Sequence, residues 1–164
     1  MELLLLVFLI LAVFFAYTAI SGAPWVPVRG FDVEELLDDG GVTKGTVYLE
    51  LGCGDGRLLQ AAARRGARAV GYELNPLLWL ISWIRSFANK NISVKYGDFW
   101  KVSLSDADVV MAFLVPRTMP RLGKKAAAQM KPSAKLISYV FEIPGKKPLK
   151  KGKSWLVYSF KKSS

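Results

Sequence analysis

The chain has 164 residues, a formal net charge of +10 and a hydrophobic fraction of 52%. That length suits one domain with a core of its own. It holds no histidine and one cysteine, Cys53, which excludes Ser-His-Asp and Cys-His catalysis, an intrachain disulfide and most zinc sites.

Met1 to Ser21 reads MELLLLVFLILAVFFAYTAIS. From Leu3 to Ile20 the only polar side-chain atoms are the hydroxyls of Tyr17 and Thr18, and a bilayer crossing needs roughly 17–25 such residues. A cleaved signal peptide starts with positive charge, whereas Glu2 is the only early charge here; SGA before Pro24 is the feature that fits cleavage. A retained transmembrane anchor over residues 1–21 is therefore expected. The first positive charge is Arg29, so the positive-inside rule places the remainder of a single-pass membrane protein on the cytoplasmic side.

Residues 22–45 read as a connector and a short helix, and residues 46–164 as the domain proper. SGAPWVPVRG is rich in proline and glycine. Asp32 and Glu35 have capping-box spacing ahead of Leu36 and Leu37. Thr46 to Leu51 predicts a strand, Arg57 to Arg65 a helix stopped by Gly66, and Arg68 to Glu73 a second strand. Asn75-Pro76 is an N-cap with proline at the first helical position. The helix it opens, PLLWLISWIRSFANK, is apolar almost all round. Trp79 and Trp83 share one of its faces, either covering the sheet or meeting a membrane surface or a membrane-protein substrate. Further strands are expected at Ile92 to Tyr96, Asp108 to Leu114, Leu136 to Phe141 and Trp155 to Phe160, with a helix over Thr118 to Met130. The lysine-rich stretch Gly145 to Lys153 reads as a flexible loop. This alternation of strand and helix predicts an α/β fold with a mostly parallel sheet covered on both faces.

Charge is unevenly placed. Beyond Pro116 the chain carries 13 Lys and Arg against Glu142 alone. Such a segment is a solvated face, a contact for an anionic leaflet or a nucleic-acid footprint.

The motif that carries chemistry is ELGCGDGR. A strand that ends in a glycine loop opening a helix binds nucleotide-like ligands. Gly52, Gly54 and Gly56 alternate as G-x-G-x-G, which departs from the dinucleotide pattern G-x-G-x-x-G. Glu50 stands two residues before the first glycine and would repel a pyrophosphate. It suits a ligand with a cationic end, such as the ammonium and sulfonium of S-adenosylmethionine. Glu73 closes the second strand, where an acid accepts ribose hydroxyls. Asp98 follows the third strand and can accept from an adenine amino group, with Phe99 or Trp100 stacking on the ring. Cys53 lies inside the loop and reads as structural. No metal site is expected.

With these residues in place the chain resembles the class I S-adenosylmethionine-dependent methyltransferases. Within them it is similar to the membrane-anchored protein lysine methyltransferases of the ATP synthase c-subunit and the adenine nucleotide translocase. The matching stretches are PWVPV, ELGCGDGRL, AVGYELNPLL, GDFWKVSL and VVMAFLVPRTMPRLGKKAAAQM. The resemblance implies a Rossmann-like fold with a C-terminal antiparallel strand, preceded by one N-terminal transmembrane helix. It implies S-adenosylmethionine as cofactor, held by Glu50, Leu51, Gly52, Cys53, Gly54, Gly56, Glu73, Leu74, Asp98 and Phe99. Pro24, Trp25 and Pro27 match a segment near the active site, and with Trp100 and Phe113 they are the candidates for a substrate channel. A catalytic residue is not identified. After the fifth strand the family tends to carry an arginine–phenylalanine pair and later a tryptophan, and YVFEIPGKKP has neither.

The activity implied is transfer of a methyl group to a lysine of a membrane-associated protein. Methyl transfer to an amine needs positioning and a neutral amine more than an acid–base pair, so the lack of histidine is no obstacle. Other methyl acceptors (RNA, lipid or a small molecule) and a non-catalytic cofactor-binding module remain as alternatives. Against nucleic acid, AFLVPRT lacks the Asn/Asp-Pro-Pro-aromatic motif of amino methyltransferases acting on nucleic acid.

Overall fold

The computed structural model describes residues 2–6, 8, 9 and 26–160. Residues 2–6, 8 and 9 are helical and exposed. The transmembrane helix expected over residues 1–21 is corrected: among the described residues no helix is long and apolar enough to cross a membrane. A crossing needs about 20 helical residues, and the longest helices of the domain, given below, have 11. Residues 10–25, which hold the rest of that stretch, lie outside the described residues.

Seven strands form one sheet: β1 (Val47–Leu51), β2 (Arg68–Glu73), β3 (Ile92–Tyr96), β4 (Val109–Ala112), β5 (Lys135–Tyr139), β6 (Lys150–Lys151) and β7 (Trp155–Ser159). Their order is β3-β2-β1-β4-β5-β7-β6. β1 to β5 are mutually parallel, and β7 runs antiparallel to both β5 and β6. Central strands of a parallel sheet are covered on both faces. Accordingly VVMA of β4 is buried throughout, and VYLEL of β1 at every position but the first.

Four helices cover the sheet: α1 (Val33–Gly40), α2 (Arg57–Arg64), α3 (Pro76–Ser86) and α4 (Met119–Gln129). Leu36 and Leu37 of α1 and Leu58, Leu59 and Ala62 of α2 share a core with Tyr48, Met111, Ile137 and Trp155. On the opposite face Met119, Leu122 and Ala126 of α4 pack with Leu49, Leu51, Val110 and Leu136. Successive strand residues thus serve alternate layers. Helix α3 lies beside α2 against β2 and β3.

Two local expectations change. Asp32 makes no capping bond to α1; its Oδ2 accepts a 2.6 Å hydrogen bond from the Tyr139 hydroxyl, far along the chain. A fully buried carboxylate gains more from that enclosed partner than from an N–H near water. The segment expected as a flexible loop contains strand β6, and three of its five lysines are paired with acids: Lys150 with Asp39 at 2.6 Å, Lys151 with Glu142 at 2.8 Å and Lys153 with Glu35 at 3.0 Å. These contacts oppose much of the local positive charge with the chain's own acids.

Candidate functional site

In an open parallel sheet ligands bind beyond the carboxyl ends of the strands, where the strand order reverses. Here the reversal lies between β1 and β4, and a cleft of about 380 Å³ opens there. It is lined by Glu50 near the end of β1 and Gly52, Cys53, Gly54 and Asp55 after it, by Glu73 at the end of β2 and Leu74, Asn75 and Leu78 after it, and by Phe99. Val26, Pro27 and Val28 form one lip, and Phe113, Leu114, Val115, Val140 and Phe141 the wall beyond β4 and β5. The volume falls in the usual range for small-molecule sites, about 300–1,000 Å³.

The glycine loop is held by backbone and by one carboxylate. The N–H groups of Gly52 and Cys53 both donate to the carbonyl of Tyr72 at the end of β2, at 2.9 and 3.0 Å. Glu73 Oε2 accepts from the Gly54 N–H at 2.8 Å, and its Oε1 accepts from the Asn75 N–H at 2.8 Å. Asn75 Oδ1 then caps α3 by accepting from Leu77 and Leu78. Gly52 has a φ of +81°, and a Cβ there would meet nothing within 4 Å, so its missing side chain keeps the cleft floor open. Gly56 has a φ of +77°, and a Cβ there would collide with Ser82 of α3. Gly56→Ala is expected to cost about 3 kcal/mol, from left-handed strain plus the clash, measured by denaturant unfolding; adding Ser82→Gly should recover the clash portion.

Glu50 is the chemically unusual residue. It is 6% exposed, and its Oε2 is buried without a hydrogen-bond partner among the described residues. Burial raises its pKa well above the ordinary carboxyl value, and the charges of Asp55 and Glu73 add to that. Asn75 Nδ2 is likewise buried and unpartnered among the described residues. A buried acid with a spare acceptor in a cleft fits a cationic ligand group. Asp55 is a different case. Burial works against its charged form, yet hydrogen bonds and charge from Arg57 and a 2.6 Å contact from Arg85 outweigh it, so its pKa falls below the ordinary value. It therefore serves as a charged clamp between α2 and α3.

Several residues singled out in the sequence take other places. Leu51 is 1% exposed in the core beneath α4 and does not line the cleft. Gly56 sets the start of α2 from outside the cleft lining. Asp98 also lies off the lining: its Oδ1 accepts from the Trp100 N–H at 2.9 Å, and the turn this caps brings Phe99 to the cleft. Trp100, expected as a channel residue, lies off the cleft lining. Its ring stacks with the Arg121 guanidinium at 4.1 Å, in the layer of α4. Phe113 does line the cleft, with its ring 4.9 Å from that of Tyr139. Pro24 and Trp25 lie outside the described residues.

Sequence reading missed Val140. It follows β5, lines the cleft and has a φ of +72°. A β-branched residue in the left-handed region is strained. The turn is imposed by its neighbours: the Val140 N–H donates to Ser154 at 2.7 Å, and the Ser138 hydroxyl to the carbonyl of Phe141 at 2.6 Å. Nothing in the local sequence signals it, because glycine and asparagine are the usual markers. Val140→Asn is expected to raise the unfolding free energy by about 1 kcal/mol by relieving this strain, checked in the same unfolding assay.

The strand order, the reversed β7 and the acid–glycine cleft define a Rossmann-like class I methyltransferase fold. A crystal structure of an RNA methyltransferase from Salinibacter ruber in complex with S-adenosyl-L-homocysteine superposes with a TM-score of 0.81 at 25% identity, over 85% of this chain and 96% of that one. Residues 50–150 match the family model of the ANTKMT methyltransferase domain, and the chain belongs to that family. It is 38% identical over 127 residues to the ATP synthase c-subunit lysine N-methyltransferase of Xenopus laevis, covering 74% of this chain and 54% of that protein. It is 40% identical over 134 residues to the adenine nucleotide translocase lysine N-methyltransferase of Mus musculus, covering 77% and 56%. A protein-lysine N-methyltransferase of Saccharolobus islandicus is 32% identical over 130 residues, covering 76% and 81%. The chain spans about half the length of the vertebrate relatives it matches.

Proposed function

We propose that the chain is an S-adenosylmethionine-dependent protein lysine N-methyltransferase acting on a membrane-associated protein. The observation that carries the cofactor is the buried Glu50 carboxyl in the cleft behind the glycine loop, whose Oε2 has no hydrogen-bond partner among the described residues. The names of the relatives support lysine as the acceptor, and the two substrates named there, an ATP synthase component and the translocase, support a membrane protein as substrate.

S-adenosylmethionine, when bound, supplies a methyl group on a cationic sulfur. Glu50 would face its positive end. The backbone from Gly52 to Gly54 leaves room for close approach, Glu73 retains lone pairs for hydroxyl donors, and Phe99 offers a ring face to a base. The apolar wall of Phe113, Leu114, Val115, Val140 and Phe141, with the lip of Val26 and Pro27, excludes water. A dry channel penalises an ammonium and favours the neutral amine, which is the reactive form. The chain's contribution to rate is then positioning and exclusion of solvent, with no histidine needed.

RNA is the second reading, carried by the Salinibacter ruber neighbour and by the net charge of +10. The acids that pair with Lys150, Lys151 and Lys153 weigh against it. The test incubates the protein with methyl-labelled S-adenosylmethionine and membranes or RNA from cells lacking the gene. Alkali-stable label on lysine of a small membrane protein is the expected result. Label in RNA would replace the proposal with the second reading, and cofactor binding without transfer to any fraction would favour a non-catalytic module.

A further inference from the structure

We infer that the outward face of α3 docks flat on an anionic lipid bilayer, beside the mouth of the cleft. The helix is inverted relative to an ordinary surface helix. Its buried residues are Ser82 and Ser86: Ser86 Oγ accepts from Gln60 at 3.0 Å, and Ser82 Oγ sits 3.8 Å from the Cys53 sulfur. Leu77, Leu80, Trp83, Ile84 and Phe87 point the other way, each between 42% and 73% exposed. At 3.6 residues per turn these five fall in one arc of about 120° that holds no polar side chain. A water-facing helix carries its charges there, and a continuous apolar patch marks an interaction surface.

Charge chooses the occupant. Between Leu74 and Ser93 the sequence has Arg85 and Lys90 and no aspartate or glutamate; both are exposed, and Arg85 is paired at 2.6 Å with Asp55, whose own side chain is 10% exposed. An apolar face carrying a tryptophan, with the exposed Lys90 beyond its end and no acid in the segment, matches an anionic bilayer surface. A second copy packed across α3 would bring Lys90 toward its own equivalent with no acid in the segment to offset it, which costs energy. With 11 residues the helix is about 16 Å long, half a hydrocarbon core of about 30 Å, so it lies on the bilayer and does not cross it. Asn75 and Leu78 of the same segment line the cleft, and the lip residue Val26 is 54% exposed. Docking along this face therefore sets the cleft opening at the lipid boundary. The inference stands apart from the methyl-transfer reading, because lipid contact is read without cofactor or turnover.

The test uses the full chain with a bimane label on Trp83→Cys or on Phe87→Cys. Ser105→Cys, exposed in the loop before β4, is the control, and Cys53 is buried. Vesicles of phosphatidylcholine and phosphatidylserine carry a nitroxide-labelled lipid as quencher. Quenching at positions 83 and 87 is expected to exceed that at 105 about fivefold, and to fall on raising salt or omitting phosphatidylserine. Equal quenching at all three positions, or none at 83 and 87 when the protein sediments with vesicles, would overturn docking through this face. So would protection of both labels without vesicles that grows with protein concentration, which would assign the face to a second copy.

Discussion

Glu50→Gln is expected to weaken S-adenosylmethionine binding about 100-fold, the loss typical of removing one charge from a buried ionic contact. In the free protein the same substitution should be stabilising at neutral pH. The folded-state pKa of Glu50 is raised above its ordinary value of 4.5 by burial, then by Asp55 and Glu73. The folded state therefore holds a proton that the unfolded state releases. The stability this contributes is full below 4.5 and is lost as pH rises toward the folded-state value. Glutamine stays neutral throughout, so the melting temperature of the variant should exceed that of the wild type at neutral pH and converge with it under acid. Binding of a cation would shift Glu50 to its charged form, so wild-type binding should release a proton that the variant does not. Calorimetric titrations in buffers of different ionisation enthalpy measure both quantities. Equal affinity of the two proteins would remove Glu50 from the cationic end of the ligand.

Glu73→Ala is expected to abolish detectable cofactor binding and to cost about 3 kcal/mol of stability, because two N–H groups lose a charged acceptor. Those donors are Gly54 in the glycine loop and Asn75 at the start of α3. One side chain thus joins the loop to the helix and fixes both edges of the cleft. Glu73→Gln should cost nearly as much, since an amide offers one acceptor where two donors must be met. Denaturant unfolding and titration calorimetry on the two variants check this. A variant that binds normally would show that the loop holds its shape without the carboxylate.

Much of the frame was legible because it rests on local rules. Apolar runs of five or six residues separated by Gly-Asp-Gly or Asn-Pro read as strands and helix starts at about their observed bounds. Asn75 caps α3 with the proline following it, as its spacing requires. Glu50, Gly52, Gly54, Glu73 and Phe99, which line one cleft, are all legible from their positions at or just beyond the carboxyl ends of successive strands. In a parallel sheet those ends converge on one edge.

Where the sequence misled, the deciding partner was distant along the chain. Asp32 has capping spacing but is taken by Tyr139. Trp100 neighbours Phe99 but turns to Arg121. Val140 is driven to positive φ by a bond to Ser154. Helix α3 is the clearest case. Its sequence, apolar almost all round, does not say which side faces the sheet. The need for small residues against Gly56 and Cys53 put Ser82 inward, and Leu77, Leu80, Trp83, Ile84 and Phe87 were left outside. Periodicity, caps and turns are written in neighbouring residues, so the sequence by itself determined the elements, their order and the acid–glycine loop. The tertiary structure alone decided which competing partner each polar group takes and which face of α3 is covered, because burial and volume are properties of residues that meet only after the chain has folded.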